Sequence, residues 1–312
     1  MRVLRNIISI LLLALAIPTV NGEPLLAQIK YGNSPLDNYY VLNANPKAGL
    51  LTVSRNASGK RRMDIKFNTI EKVAFTMPSE WEDAIALREK RDHKAAAEAF
   101  SKIAKEYKDV AGYPDSPPAL ASYYTLDALR RLGDYDALNK ERINALARNV
   151  TLSDKFSEEM KLFRAWGHVG QKAWKELLLV VNDYELKLSA SDDIPLPSMP
   201  PFKNLPSNLV AQLCYLRATA NENLGNDREA LVDYARVYTV DLGRELELTR
   251  SGMLGSLRLL KKHPEMEFNY QIQKEAHALA ILFNERFKRS LPAEFKEYLK
   301  PPPEPVDDEN GK

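Results

Sequence analysis

Cysteine is nearly absent. Cys214 is the only one in 312 residues, so an internal disulfide framework and a Cys-rich metal site are both excluded. Glycine is sparse, at 13 residues, which argues against a turn-rich all-β fold. Histidine occurs four times, as His93, His168, His263 and His277. No two stand at the i, i+4 spacing of a zinc-binding helix. In Glu275-Ala276-His277 a carboxylate lies near an imidazole, but residues two apart on a helix face different ways. Net charge is missing too: 44 Lys and Arg oppose 42 Asp and Glu, which leaves a formal +2. That balance gives no general pull toward nucleic acid or an anionic membrane. The chain lacks Gly-x-Ser-x-Gly, a phosphate loop and Gly-x-Gly-x-x-Gly. No catalytic residue, metal or cofactor is therefore assigned. Cys214 sits in the apolar run Leu213-Cys214-Tyr215-Leu216 and reads as a buried, inert thiol.

What is present is core material. Hydrophobic residues make up 45% and charged residues 28% of the chain. This composition suits one or two globular domains of the usual ~100–200 residues each.

The N-terminus has the three-part pattern of a secretory signal peptide over residues 1–22. Arg2 and Arg5 precede the apolar run Ile7 to Ile17, Pro18 breaks it, and Val20-Asn21-Gly22 offers small residues for cleavage. The run is shorter than the ~20 residues of a membrane-spanning helix, an uncleaved anchor being the alternative. No Cys follows it, so lipoprotein attachment is not expected. Cleavage would take the basic count from 44 to 42, equal to the 42 acidic groups. Export without paired cysteines points to a bacterial periplasmic or secreted protein with no integral membrane span after cleavage. The sequons at Asn56 and Asn149 are read as unused.

Residues 23–78 read as a small β-rich module. Met63, Ile65 and Phe67 alternate with polar neighbours, as do Val73, Phe75 and Met77; Leu50 to Val53 and Tyr39 to Leu42 are two further strands. Ser54 to Lys60 reads as a hairpin loop. So few strands bury little surface alone, and packing on the first following helix is expected. The module resembles small SH3-like barrels. It either binds a ligand or caps the open end of a helical stack.

Helical periodicity follows from Ser79, where Ser79 and Glu82 have the spacing of a capping box. Three stretches are alike: Ala86 to Ala96, Ala128 to Leu138 and Ala220 to Ala230. Leu132-Gly133-Asp134-Tyr135 and Leu224-Gly225-Asn226-Asp227 resemble the tight turn of a tetratricopeptide repeat. Ala96 with Phe100 and Ala230 with Tyr234 match its small-then-aromatic pattern, whereas Leu138 with Arg142 departs from it. Glycine tolerates the left-handed conformation that ends the first helix, and alanine lets the pair approach closely. Turns near Asp92, Gly133, Gly170, Gly225 and Pro264 give spacings of 41, 37, 55 and 39 residues. The family period is about 34, so loop lengths vary.

The expected organisation is therefore a mainly α protein, an α-α superhelix of tetratricopeptide-like type. Its helical lobes span 79–188 and 208–300, separated by a Pro-rich linker at 189–207 with Pro195, Pro197, Pro200, Pro201 and Pro206. The linker either divides the lobes or lies in the groove. Residues 301–312 read as a disordered tail.

The resemblance implies a concave groove for a protein or peptide partner. Aligning the turns puts Trp81, Tyr123 and Tyr215 ten residues before Arg91, Gly133 and Gly225, with Arg88, Arg130 and Glu222 three before. Aromatics and arginines suit binding, although a register error of one would move the aromatics into packing positions. The family's Lys and Asn clamp for C-terminal carboxylates is not matched. His93 stands where the family often has an aromatic and reads as packing. The function expected is an exported, non-enzymatic scaffold. The alternatives are an envelope enzyme of cell-wall hydrolase type with an unrecognised acid–base pair, or a structural component of a secretion or envelope assembly.

Overall fold

Strand periodicity shapes the N-terminal region of the computed structural model, which describes residues 24–189, 205–240, 245–263, 270–287 and 291–303. The leader, most of the Pro-rich linker, Pro264 and the tail beyond 303 lie outside the described residues. The five strands are β1 Leu25–Tyr31, β2 Asp37–Asn45, β3 Leu50–Ser54, β4 Arg62–Lys66 and β5 Ile70–Phe75. They form one antiparallel sheet in the order β4-β3-β2-β1-β5, with β4 and β5 as its edges. Ile29 opposes Val73 and Leu51 opposes Ile65. β1 was not expected, although its buried Leu25, Ala27 and Ile29 alternate.

The sheet does not pack on the first helix. Helix α1 (Glu80–Glu89) buries only Ala84 and has no apolar stripe to offer. Instead the sheet's core takes in Tyr107, Val110 and Tyr113, at and beyond the end of α2 (His93–Glu106). Phe67 and Phe75 meet Tyr113 edge-on, with centroids 5.1 and 5.7 Å away. The chain passes so close here that a Cβ on Gly112 would lie 2.7 Å from the Ala44 carbonyl oxygen.

The remaining helices are α3 Pro117–Leu132, α4 Tyr135–Ala147, α5 Asp154–Gly170, α6 Trp174–Ser189, α7 Ser207–Leu224, α8 Asp227–Val240, α9 Leu246–Lys262 and α10 Tyr270–Phe287. The capping box at Ser79 is not formed: Ser79 itself is helical, and its hydroxyl turns to Glu80. The aspartates after the turns do cap. Asp92 accepts from the Ala95 N–H at 3.1 Å and Asp134 from the Ala137 N–H at 3.0 Å.

The turns after α1, α3, α5 and α7 are built alike, and the end of α4 repeats the pattern at Asn149 (φ 53°), where the Val150 N–H reaches the Ala145 carbonyl. Arg91, Gly133, Lys172 and Gly225 have φ of 60°, 79°, 53° and 85°. In each, the N–H of the next residue reaches the carbonyl five positions back: Asp92 to Leu87, Asp134 to Leu129, Ala173 to His168 and Asn226 to Asn221. This bond satisfies a carbonyl the helix end leaves open. The turn expected at Gly170 is two residues later, because Gly170 is still in α5 and Lys172 takes the left-handed conformation. Only glycine adopts that conformation freely, so the degenerate turns at Arg91 and Lys172 carry a small local strain.

Each helix packs against the next, and α3 meets α5, α5 meets α7 and α7 meets α9. The odd helices thus form a continuous row. Phe100 and Tyr234, four residues after Ala96 and Ala230, are both fully buried. Ala230 lies with Ala218, Tyr234 and Leu259 between α7, α8 and α9. Ala230→Leu should overpack this contact and cost about 1–3 kcal/mol of unfolding free energy, read by urea denaturation. An unchanged midpoint would mean that α7 and α8 do not approach so closely.

Candidate functional site

The turns after α1 and α3, side chains of α5 and α7, the start of α9 and the end of α10 line a cavity of about 560 Å³. The α1–α2 turn contributes Arg91 and His93, and the end of α3 contributes Arg130 and Arg131. Tyr135 starts α4, Trp166 comes from α5 and Tyr215 from α7. Helix α9 supplies Glu247, Arg250 and Ser251, and α10 supplies Arg286.

One wall is ionic. Arg130 is buried and donates to Asp127 at 2.7 Å and to Glu245 at 2.9 Å. Arg131 donates to the same two carboxylates, at 3.0 and 3.1 Å. Burial alone would push the Asp127 carboxyl up, but the charges of Arg130, Arg131 and Arg88 outweigh it and hold it at about 2. Burial likewise opposes the Arg130 charge, and Glu245 and Asp127 reverse that effect, so its pKa is raised. Glu247 lies further out, 3.5 Å from Arg91, 3.6 Å from Arg131 and 3.7 Å from His93. Its carboxyl is pulled below the ordinary range: burial opposes its charge, but its own backbone N–H and these cations prevail.

The second wall is aromatic. Trp166 is stacked between Tyr135 and Tyr215, with centroids 5.6 and 5.7 Å away. Its indole N–H donates to Gln212 at 3.0 Å, and the Arg130 guanidinium lies 5.6 Å above its ring. Such a ladder is flat and rigid, and the stacked arginine keeps its charge at the cavity edge. Burial raises the Tyr135 and Tyr215 phenols, so both remain neutral donors.

Of the six residues chosen from sequence, Arg130 and Tyr215 line this cavity. Arg88 stands behind it, 3.6 Å from Asp127 and 5.0 Å over the Tyr124 ring. Trp81 lies between helices, edge-on to Phe100 and Tyr124. Tyr123 is buried against Phe156 and Phe163, and its hydroxyl donates to Glu159. Glu222 belongs to another network, accepting from Arg258 at 2.6 Å and from the Tyr234 hydroxyl at 2.7 Å. His93, read as packing, lines the cavity, and neither ring nitrogen has a hydrogen-bond partner among the described residues. Cys214 is buried as expected.

Sequence reasoning missed Trp166, Arg131, Glu247, Arg250 and Arg286. Arg131 had a signal in its place beside Arg130. Trp166 sits six residues before the left-handed Lys172, not ten, so the turn alignment passed over it. Nothing local marks Glu247 or Arg250.

Among the described residues there is no group of three or more His, Cys, Asp or Glu arranged to hold a metal ion. No described helix is long and apolar enough to cross a membrane. No protein-family model, curated protein or solved structure matches the chain.

Proposed function

We propose that the chain is an exported, non-enzymatic scaffold of tetratricopeptide-like architecture that binds an envelope protein or peptide through the row of odd helices. The observation that carries this reading is the cavity. The turns after α1 and α3, the bodies of α5 and α7, the start of α9 and the end of α10 bring arginines and an aromatic ladder to one place. Rigid aromatics and directed arginine donors are the groups that concentrate binding energy at protein interfaces. The volume falls within the ~300–1,000 Å³ range of ligand-sized sites. The leader pattern at residues 1–22 supports delivery to a bacterial periplasm or medium, and the β sheet extends the stack at its first end.

Site-specific photocrosslinking in the native host tests this. A crosslinker at Ser251, in the cavity, should capture a defined envelope protein, and one at Lys72, exposed on β5, should not. Capture of that protein from Lys72 alone would move the contact to the sheet and sink the scaffold reading of the helices.

A further inference from the structure

We infer that the cavity binds a carboxylate-bearing, acidic peptide segment, and that Glu247 holds the carboxylate position in the free protein. This rests on the scaffold reading and names its partner chemistry. Five arginines line the cavity: Arg91, Arg130, Arg131, Arg250 and Arg286. Asp127 and Glu245 neutralise the inner pair of Arg130 and Arg131. Arg250 and Arg286 have no carboxylate partner among the described residues, and the buried Arg250 Nε has no hydrogen-bond acceptor there. Among the described residues that line the cavity, five arginines face one carboxylate, that of Glu247.

Glu247 shows which anion fits. Its carboxylate sits among Arg91, Arg131 and His93, but at 3.5–3.7 Å, longer than a strong charge-assisted hydrogen bond. Its side chain is 35% exposed. A pair held so loosely in water is worth little and can be exchanged. An incoming carboxylate can take the guanidinium fork of Arg91 bidentately and meet the outward Nη1 of Arg131, whose Nε and Nη2 stay with Asp127 and Glu245, while further acids meet Arg250 and Arg286. The half-buried Tyr135 and Tyr215 give the peptide's apolar atoms a surface, and the buried Trp166 between them fixes both rings. Oxyanions of other origin share the carboxylate's attraction to arginine, so phosphate is the competing arm.

Calorimetric titration of the mature full chain with an acetylated, amidated pentapeptide of four glutamates and one tyrosine tests the inference. The same peptide with glutamines and inorganic phosphate are the comparisons. The acidic peptide should bind and the glutamine peptide should not. Arg250→Gln and the exposed Arg286→Gln should each weaken binding about tenfold. Glu247→Gln should tighten it several-fold, because the internal competitor is gone; a purely structural Glu247 would not give that gain. Equal binding of the two peptides, weaker binding by Glu247→Gln, or phosphate binding as tight as the peptide would each overturn the inference. Arg286 lies on the exposed side of α10, so its variant keeps the test sound if Arg250→Gln unfolds. Crosslinking at Ser251 with no preference for the acidic peptide would leave the scaffold standing and remove the carboxylate.

Discussion

Arg130→Met should cost about 3 kcal/mol of unfolding free energy at neutral pH, the low end of what removing one partner of a buried ion pair costs. The methionine would leave Asp127 and Glu245 buried with only Arg131, and for Asp127 the more distant Arg88, to answer them. The loss belongs to stranded charge, not to lost area. Replacing Arg130, Arg131, Asp127 and Glu245 together by apolar residues should therefore restore most of it, since no member is then left without its partner. Urea denaturation of the single and quadruple variants reads both values. A loss below about 1 kcal/mol for the single variant would place the cluster in water-like surroundings, where exposed pairs contribute that little.

The same cluster sets an acid limit. Asp127 titrates at about 2 in the folded chain, below the ordinary 3.8. A depressed carboxyl stabilises the fold fully above its unfolded value and loses that contribution as pH falls through the folded one. Between pH 4 and 2 the protein should lose about 2 kcal/mol from this residue. Arg130→Met should flatten that part of the pH profile, because the largest opposing charge is gone.

Trp166→Ala should cost about 3–5 kcal/mol, the range for removing a large buried aromatic. Trp166 is 2% exposed and joins four elements: Tyr135 and Tyr215 stack on it, Arg130 covers it and Gln212 accepts its N–H. Trp166→Phe keeps much of the ring area but leaves the Gln212 oxygen without that donor, and should cost about 1–3 kcal/mol. A small effect of the alanine variant would show that the ladder is not a core of the stack. The cavity would then have a yielding wall instead of a rigid one.

Local rules made part of this molecule legible. Period-two alternation marks β4 and β5, and Gly133 and Gly225 mark two turns because a left-handed residue is needed where a helix closes. Arg91 was placed beside those glycines by alignment alone, and it shares their backbone conformation. Ser79 with Glu82 had the spacing of a cap but not the backbone, since the helix already includes Ser79 in its geometry. β1 was missed although its buried Leu25, Ala27 and Ile29 alternate, and the sheet's partner depended on which helix end carried aromatics.

The residues alone determined the mainly helical content, most of the small sheet before it and the tight turns at Gly133 and Gly225, because each depends on neighbours a few places away. Which charges are paired was decided only in three dimensions. Arg130 and Glu245 are 115 residues apart in the chain, and Arg131 and Glu245 are 114 apart. A charged helix face reads the same in sequence whether it faces solvent or another helix. Only the stacking of the odd helices, with α3 carried round through α5 and α7 to the start of α9, brings these groups within hydrogen-bond distance and encloses the cavity between them.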